Sequence, residues 1–295
     1  MSITPTIDPS QAGSLSRGIA SLIPLVAEPA GDWLESASDP EVVALAAVCP
    51  TDPPHAWFSV FSHEVLPYQG VFLDPKSGQG WTEPRRIRGW LRTGPHSALS
   101  TGRTDDHVIT LLEYACWLLN QCRSQDPEPH LVRLRELLDE HLLRWVPALA
   151  ASLSLHDGVN SSHETTFYAR VGRLLTRRLC EVRRHLGPVV SEPQASKTSP
   201  SDVLYRDLLI PARCGIWLSR RVLATLCVEL GEAPRGERHA VSKQVLGRPN
   251  YGPILVRELE KIAVWYRALG KELPEVAATC ANWCKLVQAT MSRLH

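Results

Sequence analysis

Residues Thr104 to Ala150 read TDDHVITLLEYACWLLNQCRSQDPEPHLVRLRELLDEHLLRWVPALA, and the fold class turns on them. The spacing predicts two helices joined by the break Asp126-Pro127-Glu128-Pro129. The first is apolar on nearly every face: Val108, Ile109, Leu111, Leu112, Tyr114, Ala115, Cys116, Trp117, Leu118 and Leu119. A helix apolar all round belongs inside a protein of this length. Asp106, Thr110, Glu113 and Asn120 form its one narrow polar stripe. The second helix is amphipathic. Leu131, Leu134, Leu138, Leu142, Trp145 and Leu149 recur at helical spacing, with Arg133, Glu136, Asp139, Glu140 and Arg144 on other faces and His141 beside the stripe.

Outward from this pair the chain reads as helix after helix. Residues 1 to 13 read as a tail and Ser14 to Val26 as a helix broken near Pro24. Asp32 to Val48 restarts at Pro40, and His55 to Val65 is a short helix. Leu66 to Pro75 is expected to be extended or irregular, since Pro67, Gly70 and Pro75 interrupt it. Ser161 to Leu186 is helical. Gly187 to Asp202, rich in Ser and Pro, is the expected linker. Beyond it, Trp217 to Leu230 is closed by Gly231 and followed by Glu237 to Leu246. Tyr251 to Leu269 is closed by Gly270, and Pro274 to Leu294 is the last helix. Period-two alternation is missing, so the expected architecture is all-α. It is a compact multi-helix bundle with domain 1–187, linker 188–202 and a C-terminal helical unit 203–295 packed on the first.

The formal net charge of +1 over 295 residues gives no overall attraction to nucleic acid or to a membrane surface. No run reaches membrane-spanning length. The start, MSITPTIDPSQAG, has neither a basic n-region nor an apolar run, so no secretory signal is expected and the cytoplasm is the default. Two segments are locally basic. Gln79 to Pro95 carries Arg85, Arg86, Arg88 and Arg92 with Trp81 and Trp90, and reads as a solvated helix anchored by tryptophans. Ser161 to Leu186 carries Arg170, Arg173, Arg177, Arg178, Arg183 and Arg184, and reads as a basic solvated face open to pairing with acids of a neighbouring helix, the alternative being a docking surface for an acidic partner. Eight cysteines are scattered without a Cys-x-x-Cys pair and read as reduced core residues.

The sequence lacks a phosphate-binding Gly-rich loop, a Gly-x-Ser-x-Gly elbow and a His-Glu-x-x-His pair. Cys280 and Cys284 lie one turn apart, but no second ligand pair accompanies them, so neither metal nor cofactor is expected. The best polar set is Asp106, His107, Glu113 and His141. If the central helices pack antiparallel, these side chains converge. They then suit a satisfied buried network, a peptide-binding site or acid–base chemistry. Asp106 is also placed to cap a helix.

The same residues carry a family resemblance. Asp106-His107 opens a buried helix, Glu113 follows seven residues after the Asp, and His141-Leu142-x-x-Trp145-x-Pro147 closes the next helix. Together with LPYQGVFLDP at 66–75, this resembles the TorD family of chaperones over residues 15 to 187. The pattern departs at Asp105, usually Pro, at Leu111, often a second acid, and at Gly70, where the family has Ser.

The resemblance implies a TorD-like fold and no enzyme activity. It implies a cytoplasmic chaperone that binds the catalytic subunit of a molybdopterin-dependent oxidoreductase, through its N-terminal twin-arginine signal, its apo core or both, and assists cofactor insertion before export. Such a signal offers two guanidinium groups and then an apolar run, so carboxylates beside an apolar groove are the expected receptor. The candidate partner-binding residues are Tyr68, Asp105, Asp106, His107, Glu113, Asp139, Glu140, His141 and Trp145. Glu136 is a further acid, and Phe72 and Tyr114 are further walls. The alternative is a helical adaptor with another protein client.

Overall fold

The computed structural model describes residues 7–27, 39–46, 48–50, 52–74, 82–92, 103–124, 126–158, 167–187 and 204–294. Among them there is no strand. The one β-type contact is an isolated antiparallel bridge between Tyr68 and His107. The expected linker 188–202 lies outside the described residues.

The helices are α1 (Pro9–Ala20), α2 (Ile23–Val26), α3 (Pro40–Ala46), α4 (Pro53–Trp57), α5 (Gln69–Leu73), α6 (Thr82–Arg92), α7 (Val108–Gln121), α8 (Glu128–Glu136), α9 (Val146–Gly158), α10 (Phe167–Arg184), α11 (Leu204–Leu208), α12 (Pro211–Cys214), α13 (Arg220–Glu229), α14 (Arg238–Leu246), α15 (Tyr251–Glu272) and α16 (Ala277–Ser292). Wide π turns extend α4 over Phe58–Glu64 and α8 over Leu137–Leu142.

Helix α7 sits in the middle, as its all-round apolarity requires. Val108, Ile109, Leu111, Leu112, Tyr114, Ala115, Leu118 and Leu119 are fully enclosed. Helices α1 and α8 pack on it, and α9 and α10 form the longest contact of the N-terminal part. That crossing is close because of Gly172. A Cβ there would stand 2.9 Å from the Ala150 Cα.

Several boundaries differ from expectation for local reasons. The N-terminal tail begins its helix at Pro9, because the Asp8 side chain accepts from the Ser10 amide and Gln11 reaches back to the Asp8 amide, a capping box. Leu66–Pro75 contains the short helix α5. The second central helix does not run through to Leu149. The π turn, closed by the Leu143 amide on the Leu138 carbonyl at 2.8 Å, leads into turn residues 143–145. Pro147 therefore opens α9 rather than closing α8, in the first turn, where a missing N–H costs nothing. Gly270 lies inside α15, its absent Cβ making room for Cys280. Helix α13 starts at Arg220, three residues later than Trp217, because the Ser219 hydroxyl caps it by accepting from the Val222 amide.

The C-terminal helices share one continuous apolar core with the rest. The Trp217 indole donates to the Glu64 carbonyl, the Glu64 carboxylate accepts from the Arg221 amide at 2.8 Å, and the Trp283 indole donates to the Arg144 carbonyl at 2.9 Å. Gly215 makes the turn before this contact at φ 85°. Any Cβ there would meet Val287 Cγ2 at 2.6 Å.

Four arginines of the basic face of α10 pair with neighbouring acids. Arg173 pairs with Glu272, Arg177 with Glu41, Arg178 with Asp39, Glu41 and Glu181, and Arg184 with Glu275.

Candidate functional site

The site is the junction of α5, the start of α7 and the π turn after α8. Thr104 to His107 lie alongside Pro67 to Gly70. The Gln69 amide donates to the Asp106 carbonyl at 2.9 Å and the Val108 amide to the Pro67 carbonyl at 3.0 Å. The side chains lock the same junction. Asp106 Oδ2 accepts from the Gly70 amide at 3.2 Å and Oδ1 from the Thr104 hydroxyl at 2.8 Å. Asp106 thus serves the first turn of α5, not of its own helix. The cap of α7 is His107, whose Nδ1 accepts from the Ile109 amide at 3.1 Å. The histidine proton is therefore on Nε2. The His107 ring meets Tyr68 edge-on at 4.9 Å.

His141 enters from the π turn. Gln69 Nε2 donates to its Nδ1 at 3.4 Å, and Trp90 lies over the ring at 4.6 Å. Trp145, fully enclosed, stacks on Phe72 with centroids 5.5 Å apart. Desolvation governs the charges here. It pulls His107 down to about 4 and His141 to about 3, so both rings are neutral at pH 7. It pushes Asp106 upward against its two hydrogen bonds, and Glu113 upward against the pull of Arg103. Among the described residues, Glu113 Oε2 is enclosed without a hydrogen-bond partner.

Of the expected partner-binding residues, Asp106, His107, His141 and Trp145 are therefore buried, and Tyr68 and Glu113 are half-buried. Asp139 accepts both Nε and Nη2 of the buried Arg183. Asp105 pairs with Arg88 at 2.6 Å, and Glu140 is exposed. Asp106, His107 and His141 each hold a different backbone or amide group. Among the described residues none of their hydrogen bonds joins a carboxylate of the set to an imidazole of the set. The geometry is that of a packing network rather than a proton relay. Burial pushes Cys280 up to about 12, and no group of three or more His, Cys, Asp and Glu suited to a metal occurs among the described residues.

Reading the sequence by segments missed the role of α6. Arg88 reaches Asp105, and Arg86 Nη2 donates to the Glu140 carbonyl at 3.5 Å. The Trp90 indole donates to Glu136 Oε2 at 3.2 Å, and the Arg133 guanidinium lies 3.6 Å from a Trp90 ring centroid. Trp90 also meets Tyr114 edge-on at 5.6 Å. The only signal was compositional, arginines interleaved with tryptophan, and it did not name the surface they cover. The Gln69 bridge had no signal, since it depends on a contact between residues 72 positions apart.

Residues 55–151 match the family described as nitrate reductase delta subunit. The match covers about a third of the chain and contains every residue of the junction, and it supports a TorD-type chaperone of molybdoenzyme maturation. No curated protein and no solved structure matches the chain.

Proposed function

We propose that the chain is a maturation chaperone for a molybdopterin-dependent oxidoreductase, acting in the cytoplasm. It binds the catalytic subunit, by its N-terminal twin-arginine signal, its apo core or both, and holds it for cofactor insertion before export. The observation that carries this is the family match over 55–151, which spans the whole of the α5–α7–π-turn junction.

The division of labour follows from burial. Asp106, His107, His141 and Trp145 fix the junction from inside. Tyr68, Asp105, Glu113 and Glu140 reach its surface and supply the aromatic edge and the carboxylates that a guanidinium pair needs. Asp139, held by the buried Arg183, belongs with the residues that hold the fold.

The test is affinity capture of the tagged full-length chain from its own host, with the captured proteins identified by mass spectrometry. Enrichment of a molybdoenzyme catalytic subunit, in a form lacking its cofactor, is the expected result. Capture of an unrelated class of protein alone would move the chain to the adaptor reading.

A further inference from the structure

Helix α6 reads TEPRRIRGWLR. It carries adjacent arginines at 85 and 86, a third at 88, and the apolar residues Ile87, Trp90 and Leu91. Ile87 and Leu91 point into the core, while Arg85, Arg86, Arg88 and Arg92 are exposed. The surface beneath it is mixed, with the Arg133 guanidinium against the Trp90 ring and paired with Glu136, and acceptors on either side. Asp105 stands at the start of α7, and Glu136 and the Glu140 carbonyl stand where α8 becomes the π turn. Between them Tyr114 and His141 receive the Trp90 ring. The two acid-bearing ends that the central hairpin brings together are thus bridged by a basic, aromatic peptide of the same chain.

We propose that this seat is an interaction surface for a partner segment carrying adjacent arginines followed by apolar residues, and that α6 occupies it in the free protein and leaves when the partner binds. The proposal rests on reading the acid-bearing hairpin end as the client surface. A partner of the same chemistry as α6 finds the same carboxylates and the same aromatic slot, so the two cannot sit there together.

The polar part of the α6 attachment suits exchange, whereas Ile87 and Leu91 are enclosed in the core and their places must be taken by the apolar residues of the partner. The Arg88–Asp105 pair is open to water, with side-chain exposures of 56% and 30%, so it holds weakly and is screened by salt. Eleven residues are too few for a stable isolated helix, and Gly89 in the middle lowers helix propensity further. Among the described residues no atom lies within 4 Å of where a Gly89 Cβ would be. A seat that is mostly occupied reduces a partner's apparent affinity by the fraction of time it is open.

The experiment uses the full chain and, as probe, a fluorescein-labelled peptide of residues 82–92, read by anisotropy. Arg86→Ala with Arg88→Ala weakens the internal occupant and leaves the seat intact. This variant is expected to bind the probe about tenfold more tightly than the wild type. Adding Asp105→Asn takes the gain away. Gly89→Ala, which favours the seated helix, weakens probe binding about fivefold. Circular dichroism checks that each variant keeps its helix content. Equal affinities across wild type, the double variant and Gly89→Ala, or no binding by any of them, overturns the proposal.

A second probe, an unrelated Arg-Arg peptide with an apolar run, separates this proposal from the function. If it binds all variants equally while a molybdoenzyme subunit is captured, the occupant falls and the chaperone stands. If affinities for the 82–92 peptide follow the variants but no such subunit is captured, the seat stands and the chaperone reading falls.

Discussion

Arg183 of α10 grips Asp139 of the π turn with two parallel hydrogen bonds, Nε to Oδ1 at 2.5 Å and Nη2 to Oδ2 at 3.0 Å, while its Nη1 donates to the Gly187 carbonyl at 2.6 Å. The guanidinium is buried, with 2% of its side chain exposed. Asp139→Asn removes the negative charge that faces this guanidinium and is expected to cost about 3 kcal/mol. Urea unfolding monitored by circular dichroism measures it. Probe affinity at matched folded fraction should not change. A loss of affinity without a loss of stability would return Asp139 to the binding surface.

Asp106→Ala orphans the buried Gly70 amide, while the exposed Thr104 hydroxyl turns to water, and should destabilise by about 2 kcal/mol. Asp106→Asn keeps an acceptor oxygen and should recover part of that. Thermal melts of the two variants decide it. Equal melting temperatures for wild type and Asp106→Ala would remove the residue from the scaffold.

Gly172→Ala tests the α9–α10 crossing. The alanine gains helix propensity but drives its Cβ to 2.9 Å from the Ala150 Cα, which cannot yield without moving the helix. Overpacking should win, with a net loss of about 1–3 kcal/mol. An unchanged unfolding midpoint would mean that the helices separate at no cost.

Acid should destabilise the fold through its histidines. His141 is held down to about 3, and His107 and His156 to about 4, from an ordinary value of 6.5, all chiefly by desolvation. Their folded values lie below the unfolded ones. Their contribution is therefore full above pH 6.5 and is lost as pH falls through that window toward 4. Asp106 and Glu113 are shifted upward and act with the opposite sign, favouring the folded state at acid pH. In stability-against-pH curves, His141→Gln should remove a slope of about 1.4 kcal/mol per pH unit, one proton's worth, between pH 6 and 4. Superimposable curves for variant and wild type would place the proton uptake elsewhere.

The sequence by itself determined that this protein is helical and which helix lies at its centre. A 3.6-residue period in Leu131, Leu134 and Leu138, and apolarity on every side from Val108 to Leu119, are local signals with one physical solution. The family pattern of Asp106, His107, Glu113, His141 and Trp145 was legible only as a resemblance, and the basic face of α10 as a face without named partners.

The purpose of each polar group was decided only by tertiary contacts. Asp106 at the head of α7 looks like that helix's cap until α5 is laid beside it and offers the Gly70 amide. Asp139 and Glu140 are neighbours in sequence and look equivalent. Packing of α10 gives the first a buried arginine and leaves the second exposed. Helix α6 reads as a solvated basic helix until it is found across Asp105, Glu136 and the Glu140 carbonyl. Apolar periodicity is written into successive residues. The partner of a charge is set by whichever element the core brings opposite it, often more than forty residues away, and no local pattern encodes that choice.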